Sequence, residues 1–511
     1  MAFPLLTATL LSLLTPLHAT AVSAWPTAFG PFTATSLGVL PGLLPPAPSL
    51  SWLSPSSSPP PWGGLLSDAA GNVLYIEDKA SSNNFSLVSV SGATGARNWA
   101  APLPGDDGPG NSCGPLSWML DGCGAAYVAM GCGPEPLSLA NYLFAFDVSS
   151  GASRWPTRAS FGTGAYQALQ RSADCAHLFT LVGQRDSPGQ LIALDAATGV
   201  QVGPAFGSFS NNVQPTTALS LSADGGTLML TASPYALGPY AAAFSVGGLL
   251  RGDGAPAQLW ESRGPATGGA WRAPAQLASA QLSDGSVLLA YEPEPQPLAG
   301  GAAAQAAPSR EGANASIALR RLRGADGSLL WEAQLPCAGG GNASISGLAV
   351  SEAAGLLLLS VEHPPLGGGE LVVLRLDSGA AGAAGCLLPS AGPGLARRLR
   401  GLALDGSGGL PLTAWLLALD LAPLSYPRGG GDVTSAALLS ASIDRQGACT
   451  LARSVGLTKD VGGLAEVPFL APIGAEATQG LTSAVWPAVL LGPLANELAV
   501  VLPGVGVIAV K

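Results

Sequence analysis

The chain has 511 residues, several times the length of an ordinary domain, so it contains several domains or one large repeat architecture. Apolar residues make up 48% and charged residues only 11%, which excludes a disordered chain, because such a chain lacks apolar surface to bury. The net charge is −10, and the 22 Lys and Arg residues are scattered, so no basic face for nucleic acid is expected.

The N-terminal segment Met1–Ala24 has the pattern of a signal peptide. Its apolar run from Phe3 to Leu14 is too short to cross a bilayer, and Val22–Ala24 offers small residues at the positions that a signal peptidase reads. We therefore predict a signal peptide over 1–24, a mature chain over 25–511, and no integral membrane span after cleavage. An uncleaved anchor is the alternative.

The first repeated signal is an apolar run, a tight turn and a second apolar run. Asp and Gly in the turn supply the side-chain hydrogen bond and the positive φ that a β-hairpin needs. The copies are Leu65–Ile76, Leu219–Leu230, Ala280–Leu289 and Leu348–Leu357. Each copy therefore predicts a pair of antiparallel strands.

The second signal follows some residues later. A strand ends in Asp, a glycine turn reverses the chain, and the closing strand often carries Trp. Its copies are Leu87–Trp99, Leu143–Trp155 and Leu191–Val202, with looser copies at Leu319–Trp331 and Val372–Gly379. The residues assigned to this repeat are Gly95, Trp99, Asp147, Gly151, Trp155, Asp195, Gly199 and Trp331.

Together the two signals predict four strands per unit, with units starting near residues 63, 114, 166, 216, 274, 344, 396 and 482. This spacing predicts an all-β fold, a β-propeller of eight four-stranded blades, with seven blades as the alternative. The Gly/Ala/Pro-rich insertions Pro293–Gly312 and Asp420–Gly431 are predicted to be loops.

The eighth unit is short by one strand, and the chain ends at Lys511. We predict that Pro48–Trp52 supplies this strand, so that a strand from one terminus closes the last blade and removes two open sheet edges. Pro41–Pro61 then belongs to the closing blade, with a free linker as the alternative. The apolar run Leu498–Val510 contains Pro503 and two glycines, which favours two strands over an anchor tail.

The strand–Asp-x-x-(Thr/Ser)-Gly–strand–Trp pattern resembles the pyrroloquinoline-quinone (PQQ)-type repeat of quinoprotein-alcohol-dehydrogenase-like propellers. The opening segments Trp25–Gly30 and Pro48–Trp52 are similar to the beginnings of such propellers. The resemblance implies that the repeat tryptophans pack between neighbouring blades, here Trp99, Trp155, Trp260 and Trp331. Val202 stands in the corresponding place of the third unit.

Quinone-dependent dehydrogenases of that family use a catalytic Asp, a calcium or lanthanide ion held by Glu and Asn, a basic residue and often adjacent cysteines. This chain has no Cys-Cys pair, and Asp147 and Asp195 belong to the turn of the repeat. His177 and His363 of the mature chain have no flanking motif of a catalytic triad or metal site. We therefore expect no catalytic residues, no metal and no cofactor; PQQ and Ca²⁺ enter only under an enzymatic alternative.

The seven cysteines are consistent with an oxidising compartment, and an odd number leaves at least one without an intramolecular partner. Their positions leave the pairing open. Three Asn-x-Ser triplets are candidate glycosylation sites, at Asn84, Asn314 and Asn342. These features predict a location outside the cell or in the lumen of the secretory pathway.

The leading interpretation is a secreted, monomeric, non-catalytic binding or scaffold propeller that holds an unknown protein or glycan partner on one of its faces. The alternative is a quinone-dependent dehydrogenase, or another enzyme with its site at the central channel. A third possibility is a lumenal sensor or assembly factor, similar to the propeller of the bacterial outer-membrane assembly lipoprotein. No lipobox cysteine follows this signal peptide, so that lipoprotein's mode of anchoring is not expected.

Overall fold

The computed structural model places most of the repeat region and leaves the first 49 residues undescribed. The described residues are 50–55, 62–79, 84–103, 112–133, 140–156, 159–163, 165–184, 187–209, 218–232, 239–251, 257–264, 277–292, 316–336, 344–363, 368–381, 385–388, 396–404, 411–423, 431–457, 489–491, 498–502 and 506–510.

The first four sheets are blades 1 to 4, and each is built from four consecutive strands. Blade 1 contains β2 (Trp62–Ser67), β3 (Val73–Lys79), β4 (Asn84–Val90) and β5 (Arg97–Pro102). Blade 2 contains β6 (Ser112–Leu120), β7 (Ala125–Gly133), β8 (Ala140–Asp147) and β9 (Ala159–Thr163). Blade 3 contains β10 (Ala165–Arg171), β11 (His177–Gln184), β12 (Ser187–Asp195) and β13 (Gln201–Phe209). Blade 4 contains β14 (Ala218–Leu221), β15 (Thr227–Ala232), β16 (Tyr240–Ser245) and β17 (Gln258–Arg263).

The remaining sheets are blades 5 to 8, and the last one combines both ends of the described chain. Blade 5 contains β18 (Leu277–Gln281), β19 (Val287–Tyr291), β20 (Ser316–Leu322) and β21 (Leu329–Pro336). Blade 6 contains β22 (Ser344–Ser351), β23 (Leu356–His363), β24 (Gly368–Arg375) and β25 (Cys386–Leu388). Blade 7 contains β26 (Ala396–Leu404), β27 (Leu412–Pro423), β28 (Gly431–Ile443) and β29 (Cys449–Gly456). Blade 8 contains β30 (Val489–Leu491), β31 (Leu498–Leu502), β32 (Gly506–Val510) and β1 (Leu50–Pro55).

The eight sheets circle a common axis. The first strand of each blade contacts the first strand of the next, and β2 contacts β30, which closes the circle. Seven of the sheets are antiparallel meanders in chain order, and in blade 8 the meander β30–β31–β32 is followed by β1, so the innermost strand of blade 8 is β30 and its outermost strand is β1. This arrangement confirms the predicted all-β propeller.

The closing blade joins the two ends of the described chain. β1 pairs antiparallel with β32, from Leu50 opposite Val510 to Pro55 opposite Gly506. The predicted N-terminal closing strand is therefore present, and Leu498–Val510 supplies the strands β31 and β32. The residues of Pro41–Pro61 other than β1 lie outside the described residues.

The predicted loop Asp420–Gly431 is wrong at both ends. β27 continues to Pro423 and β28 begins at Gly431. Asp420 stays in the sheet because its carboxylate accepts hydrogen bonds from Arg397 (Nε–Oδ1 2.7 Å) and from the Ser435 hydroxyl (2.8 Å). The other predicted loop, Pro293–Gly312, lies outside the described residues.

The apolar core lies between the faces of neighbouring blades. One cluster combines Leu74 and Ile76 of blade 1 with Trp118, Val128 and Met130 of blade 2, all at most 1% exposed. An inner strand is buried on both faces where its blade has a neighbour on each side, which explains why strands such as β19 and β23 are buried at nearly every position. Outer strands such as β17 are mostly exposed. The single helix among the described residues is α1 (Val246–Arg251).

The strand order defines two surfaces of the propeller. Because neighbouring strands run in opposite directions, the turns between first and second strands and between third and fourth strands share one end of the propeller, here called the turn face. The fourth strands form the outer edge, here called the rim.

Candidate functional site: the turn face and the rim

The repeat aspartates hold the turns between third and fourth strands. Asp147 Oδ1 accepts hydrogen bonds from the backbone N–H groups of Ser149 (3.0 Å) and Ser150 (3.1 Å). Hydrogen bonds from the Ser149 and Ser150 side chains and from Arg154 lower the Asp147 pKa to about 2. Asp195 Oδ1 accepts from the Thr198 N–H at 2.8 Å, and the pKa of Asp195 is lowered mainly by the Thr198 hydroxyl. Both carboxylates therefore accept hydrogen bonds from the turns in which they lie.

The repeat tryptophans lie in the seams between blades. Trp99 of blade 1 donates its indole N–H to the carbonyl of Val148 in blade 2 at 3.0 Å, and its ring covers Gly151. Gly151 has a φ of +70°, and a Cβ there would lie 2.6 Å from the ring. The same contacts recur for Trp155 with Ala196 and Gly199, Trp260 with Gly324 and Gly327, and Trp331 with Leu376 and Gly379.

The seam between blades 3 and 4 is built differently. Val202 occupies the tryptophan position in β13, and the turn after β16 is replaced by α1. Gly203, with a φ of +73°, lies so close to α1 that a Cβ would be 2.8 Å from the carbonyl oxygen of Leu249. In blade 1, Gly95 has the positive φ (68°) of the repeat turn.

Adjacent turns of the turn face are tied to one another. The Cys123–Cys175 disulfide joins the first turn of blade 2 to the first turn of blade 3. Between blades 5 and 6, Glu352 accepts hydrogen bonds from the backbone N–H of Ser283 (2.8 Å) and from its hydroxyl. These contacts link the blades near the axis, where the first strands meet.

One of the other two disulfides lies within a blade, and the other joins two blades. Cys113–Cys132 joins residues that are directly opposite each other in β6 and β7. Cys386–Cys449 joins the outer strands of blades 6 and 7. Cys337, the seventh cysteine, lies outside the described residues.

Two carboxylates that the sequence analysis did not single out, one half-buried and one buried, bridge neighbouring blades. Glu292 follows β19 and accepts from the backbone N–H of Ile345 at 3.1 Å. Glu362 ends the apolar run of β23, is 3% exposed, and accepts from the backbone N–H of Leu399 at 2.6 Å. In the sequence, both acids could have been found as a glutamate that directly follows the apolar residues of the second strand of a blade.

The two histidines lie in different blades. His177 begins β11, and its buried Nδ1 has no hydrogen-bond partner among the described residues. His363 ends β23, with its Nε2 3.5 Å from Glu370 Oε1. The structure therefore does not bring them together into one site.

Within the described ranges, no group of three or more His, Cys, Asp or Glu side chains is placed to hold a metal ion. The same ranges contain no helix of the length and apolarity required to cross a bilayer. Asn84 begins β4, whereas Asn314 and Asn342 lie outside the described residues.

The rim carries the exposed large apolar side chains of the described chain. They lie in or directly before the fourth strands of four consecutive blades, and they are Val200, Leu259, Leu329, Leu330 and Leu387. Leu387 is 73% exposed and Leu259 is 52% exposed. Each of these strands pairs with only one neighbour, so its outer edge has unpaired backbone groups.

No protein-family profile and no curated protein matches this chain in sequence. Among solved structures, the Dos1 propeller is 10% identical, with 91% of this chain and 95% of that chain covered and a TM-score of 0.49. A quinohemoprotein alcohol dehydrogenase from Pseudomonas putida HK5 is 13% identical, with 77% and 76% covered and a TM-score of 0.42.

A third solved structure comes from a study of two prolyl endopeptidases. It is 14% identical and has a TM-score of 0.43, and the match covers 78% of this chain but 55% of that chain, so it spans about half the length of that protein. At these values the similarities identify no family. The propeller assignment rests on the strand pairing and the contacts between blades.

Proposed function

We propose that this chain is a non-catalytic binding and scaffold propeller that docks an extended segment of a protein partner on its rim. The observation that carries the proposal is the run of exposed leucines on the outer strands of blades 4 to 6, namely Leu259, Leu329, Leu330 and Leu387. These side chains lie beside open strand edges, and together with Val200 they are the exposed large apolar side chains of the described residues.

An extended peptide can add a strand to an open sheet edge, where its backbone supplies hydrogen bonds and its side chains meet alternate positions. The rim offers both components, an unpaired edge and apolar side chains. Full burial of one leucine contributes about 1.5–3 kcal/mol, so two or three of them suffice for a specific contact. An apolar surface of this kind favours a protein segment over a glycan, which needs polar groups.

The proposal can be tested by site-specific photo-crosslinking in cells that produce the protein. Leu330 is replaced by a photo-reactive amino acid in one variant, and Ala197, an exposed residue of the turn face, is replaced in a second variant. We expect discrete protein adducts from position 330 and none from position 197, with the partner identified by mass spectrometry.

A charge variant then tests whether the leucines carry the binding. L259D/L387D should lower the yield of adducts at position 330 by at least about tenfold, since it removes the burial of two leucines. T450D/A452D is the matched control, because it adds the same charges to exposed positions on the outer strand of blade 7. Adducts only at position 197, adducts only with a second copy of the chain, or no effect of L259D/L387D would contradict the proposal.

We further propose that the chain works without a quinone. The support is that Asp147 and Asp195, the repeat carboxylates, already accept hydrogen bonds from their own turns. PQQ with Ca²⁺ at about 100 times a dissociation constant would stabilise a binding fold by about 2.7 kcal/mol. A rise in melting temperature at saturating PQQ and Ca²⁺ would restore the enzymatic alternative.

We also propose that the protein is exported as a monomer. The three disulfides support an oxidising compartment. Protein recovered from the medium should begin at Trp25 and carry glycans at Asn84, Asn314 or Asn342, which intact-mass and peptide analysis measure. Protein that retains Met1–Ala24 inside the cell would contradict this part of the proposal.

A further inference from the structure

The three disulfides differ in how far a reagent can reach them. Cys113 and Cys132 are 3% and 1% exposed, and Cys386 is 5% exposed. Cys123, in contrast, is exposed on the turn face, and its partner Cys175 is half-buried in the neighbouring turn. Cys449, the partner of Cys386, is half-buried. Thiol–disulfide exchange requires a thiolate to reach a sulfur atom, so the Cys123–Cys175 bond, with the one exposed cysteine among these six, is the most open to attack.

A cation lies directly against this bond. Arg171, the last residue of β10, places Nη1 3.1 Å from Cys123 Sγ and 2.7 Å from Cys175 Sγ. The backbone carbonyl of Ser172 accepts a hydrogen bond from the same Nη1 at 3.1 Å, which fixes the guanidinium group in place. Within the described part of the chain, neither of the other two disulfides has a side-chain cation at this distance.

The cation changes the chemistry of the bond. A guanidinium beside a sulfur atom stabilises the thiolate over the thiol, and a leaving group that is a more stable thiolate departs faster. Cys175 also has a φ of 62°, the one positive value at a non-glycine residue among the described residues, at the turn position that Gly225 and Gly285 occupy in blades 4 and 5.

We propose that Cys123–Cys175 is a thiol–disulfide exchange site for an external protein dithiol. A thiolate of the dithiol attacks Cys123 Sγ, and the electron pair of the Cys123–Cys175 bond leaves on Cys175 Sγ beside Arg171. The second thiol of the dithiol loses its proton and displaces Cys123 from the mixed disulfide. The dithiol is thereby oxidised to a disulfide, and both cysteines are reduced, with the two protons of the dithiol passing to them.

The seam between blades 2 and 3 remains packed after this step. Trp155 still covers Gly199 and still donates to Ala196 at 3.0 Å. The exchange therefore removes the covalent link between the two turns of the turn face, and blades 2 and 3 stay packed against each other. This inference is independent of the rim, because it involves neither the outer strands nor a bound partner.

The experiment uses the full chain with reduced thioredoxin, or with dithiothreitol, at neutral pH. Samples are quenched over time, the free cysteines are alkylated, and each cysteine is quantified by mass spectrometry. We expect Cys123 and Cys175 to be labelled at least about tenfold faster than the other four disulfide-bonded cysteines, since accessibility and leaving-group stability both favour them. Circular dichroism should stay unchanged.

Variants separate the role of the cation from that of exposure. R171Q should slow labelling of Cys123 and Cys175 by about threefold or more, because the nearby positive charge no longer stabilises the thiolate. R171K should restore part of the rate. R375Q is the matched control, since Arg375 is an exposed arginine of the turn face whose side chain donates to the Arg445 carbonyl, far from Cys123 and Cys175 in the ring.

Two results would overturn the inference. One is labelling of all three disulfides at equal rates, which would mean that exposure of Cys123 makes no difference. The other is an R171Q rate equal to that of R375Q, which would mean that the guanidinium does not assist the leaving sulfur.

Discussion

The seam between blades 2 and 3 and the seam between blades 3 and 4 solve the same packing problem in different ways. In the first, Trp155 fills the gap and lies flat on Gly199 of the next blade. In the second, the smaller Val202 takes the tryptophan position, and α1 replaces the glycine turn of the next blade. The tryptophan and the glycine that it would cover are therefore both absent from this seam.

The seam between blades 6 and 7 shows a third solution. The short outer strand β25 has no tryptophan, and the Cys386–Cys449 bond joins the two outer strands instead. Nearer the axis, Glu362 accepts from the backbone of Leu399 across the same seam. From blade 1 to blade 7, each seam therefore contains a residue or bond of the outer strand that contacts the next blade, and its chemistry differs from seam to seam.

The largest effect should come from removing a buried tryptophan. W155A should lower the free energy of unfolding by about 3–5 kcal/mol, because it leaves a cavity at a residue that is 4% exposed. V202A, at the equivalent but half-buried position, should cost about 1 kcal/mol or less. Urea unfolding followed by fluorescence and circular dichroism measures both.

A double-mutant cycle sharpens the same comparison. G199A introduces a Cβ 2.9 Å from the Trp155 ring and requires a φ of +73°. In the W155A background the clash disappears and only the backbone strain remains, roughly 1–2 kcal/mol. Additive effects of W155A and G199A would show that the ring and the glycine do not form one unit.

An intermediate effect should follow removal of the blade 6–7 disulfide. C386S/C449S should lower stability by about 2–4 kcal/mol, since the bond closes a long loop of chain in the unfolded state. R323Q serves here as a surface control with no expected change beyond about 0.5 kcal/mol, because the exposed Arg323 side chain pairs with Asp326 within one turn of blade 5. A loss as small as that of R323Q would mean that Glu362 and the apolar contacts alone hold this seam.

The smallest effect concerns pH. The pKa of Asp147 is about 2 in the folded protein, below the value of about 3.9 in an unfolded chain. Its contribution is therefore present above pH 4 and is lost as the pH falls from 4 to 2. Because the carboxylate is partly exposed, we expect less than about 1 kcal/mol. The stability difference between wild type and D147N should shrink over this range, and a constant difference would refute the assignment.

Much of the fold could be predicted from local patterns. The hairpin signal and the Asp–Gly turn signal depend on neighbouring residues, and the first strands begin within seven residues of the predicted unit starts, the largest difference being β30 at Val489. α1 was missed because it is one short helix of six residues with two glycines, Gly247 and Gly248, although the Ser245 hydroxyl accepts from the Gly248 N–H at 3.3 Å as an N-cap. Asp420 was misplaced because its partners, Arg397 and Ser435, lie on two other strands.

Neighbouring residues were enough to predict the repeat and its strand order, because apolar runs and turn residues act over a few positions of chain. The strand missing from the last unit indicated the closing role of the N-terminal strand. The pairing of the cysteines, the position of Arg171 against one disulfide and the line of exposed leucines on consecutive outer strands could be read only from the folded ring. These features join residues from different blades or follow from burial, and burial depends on which neighbours the closed ring places beside each strand.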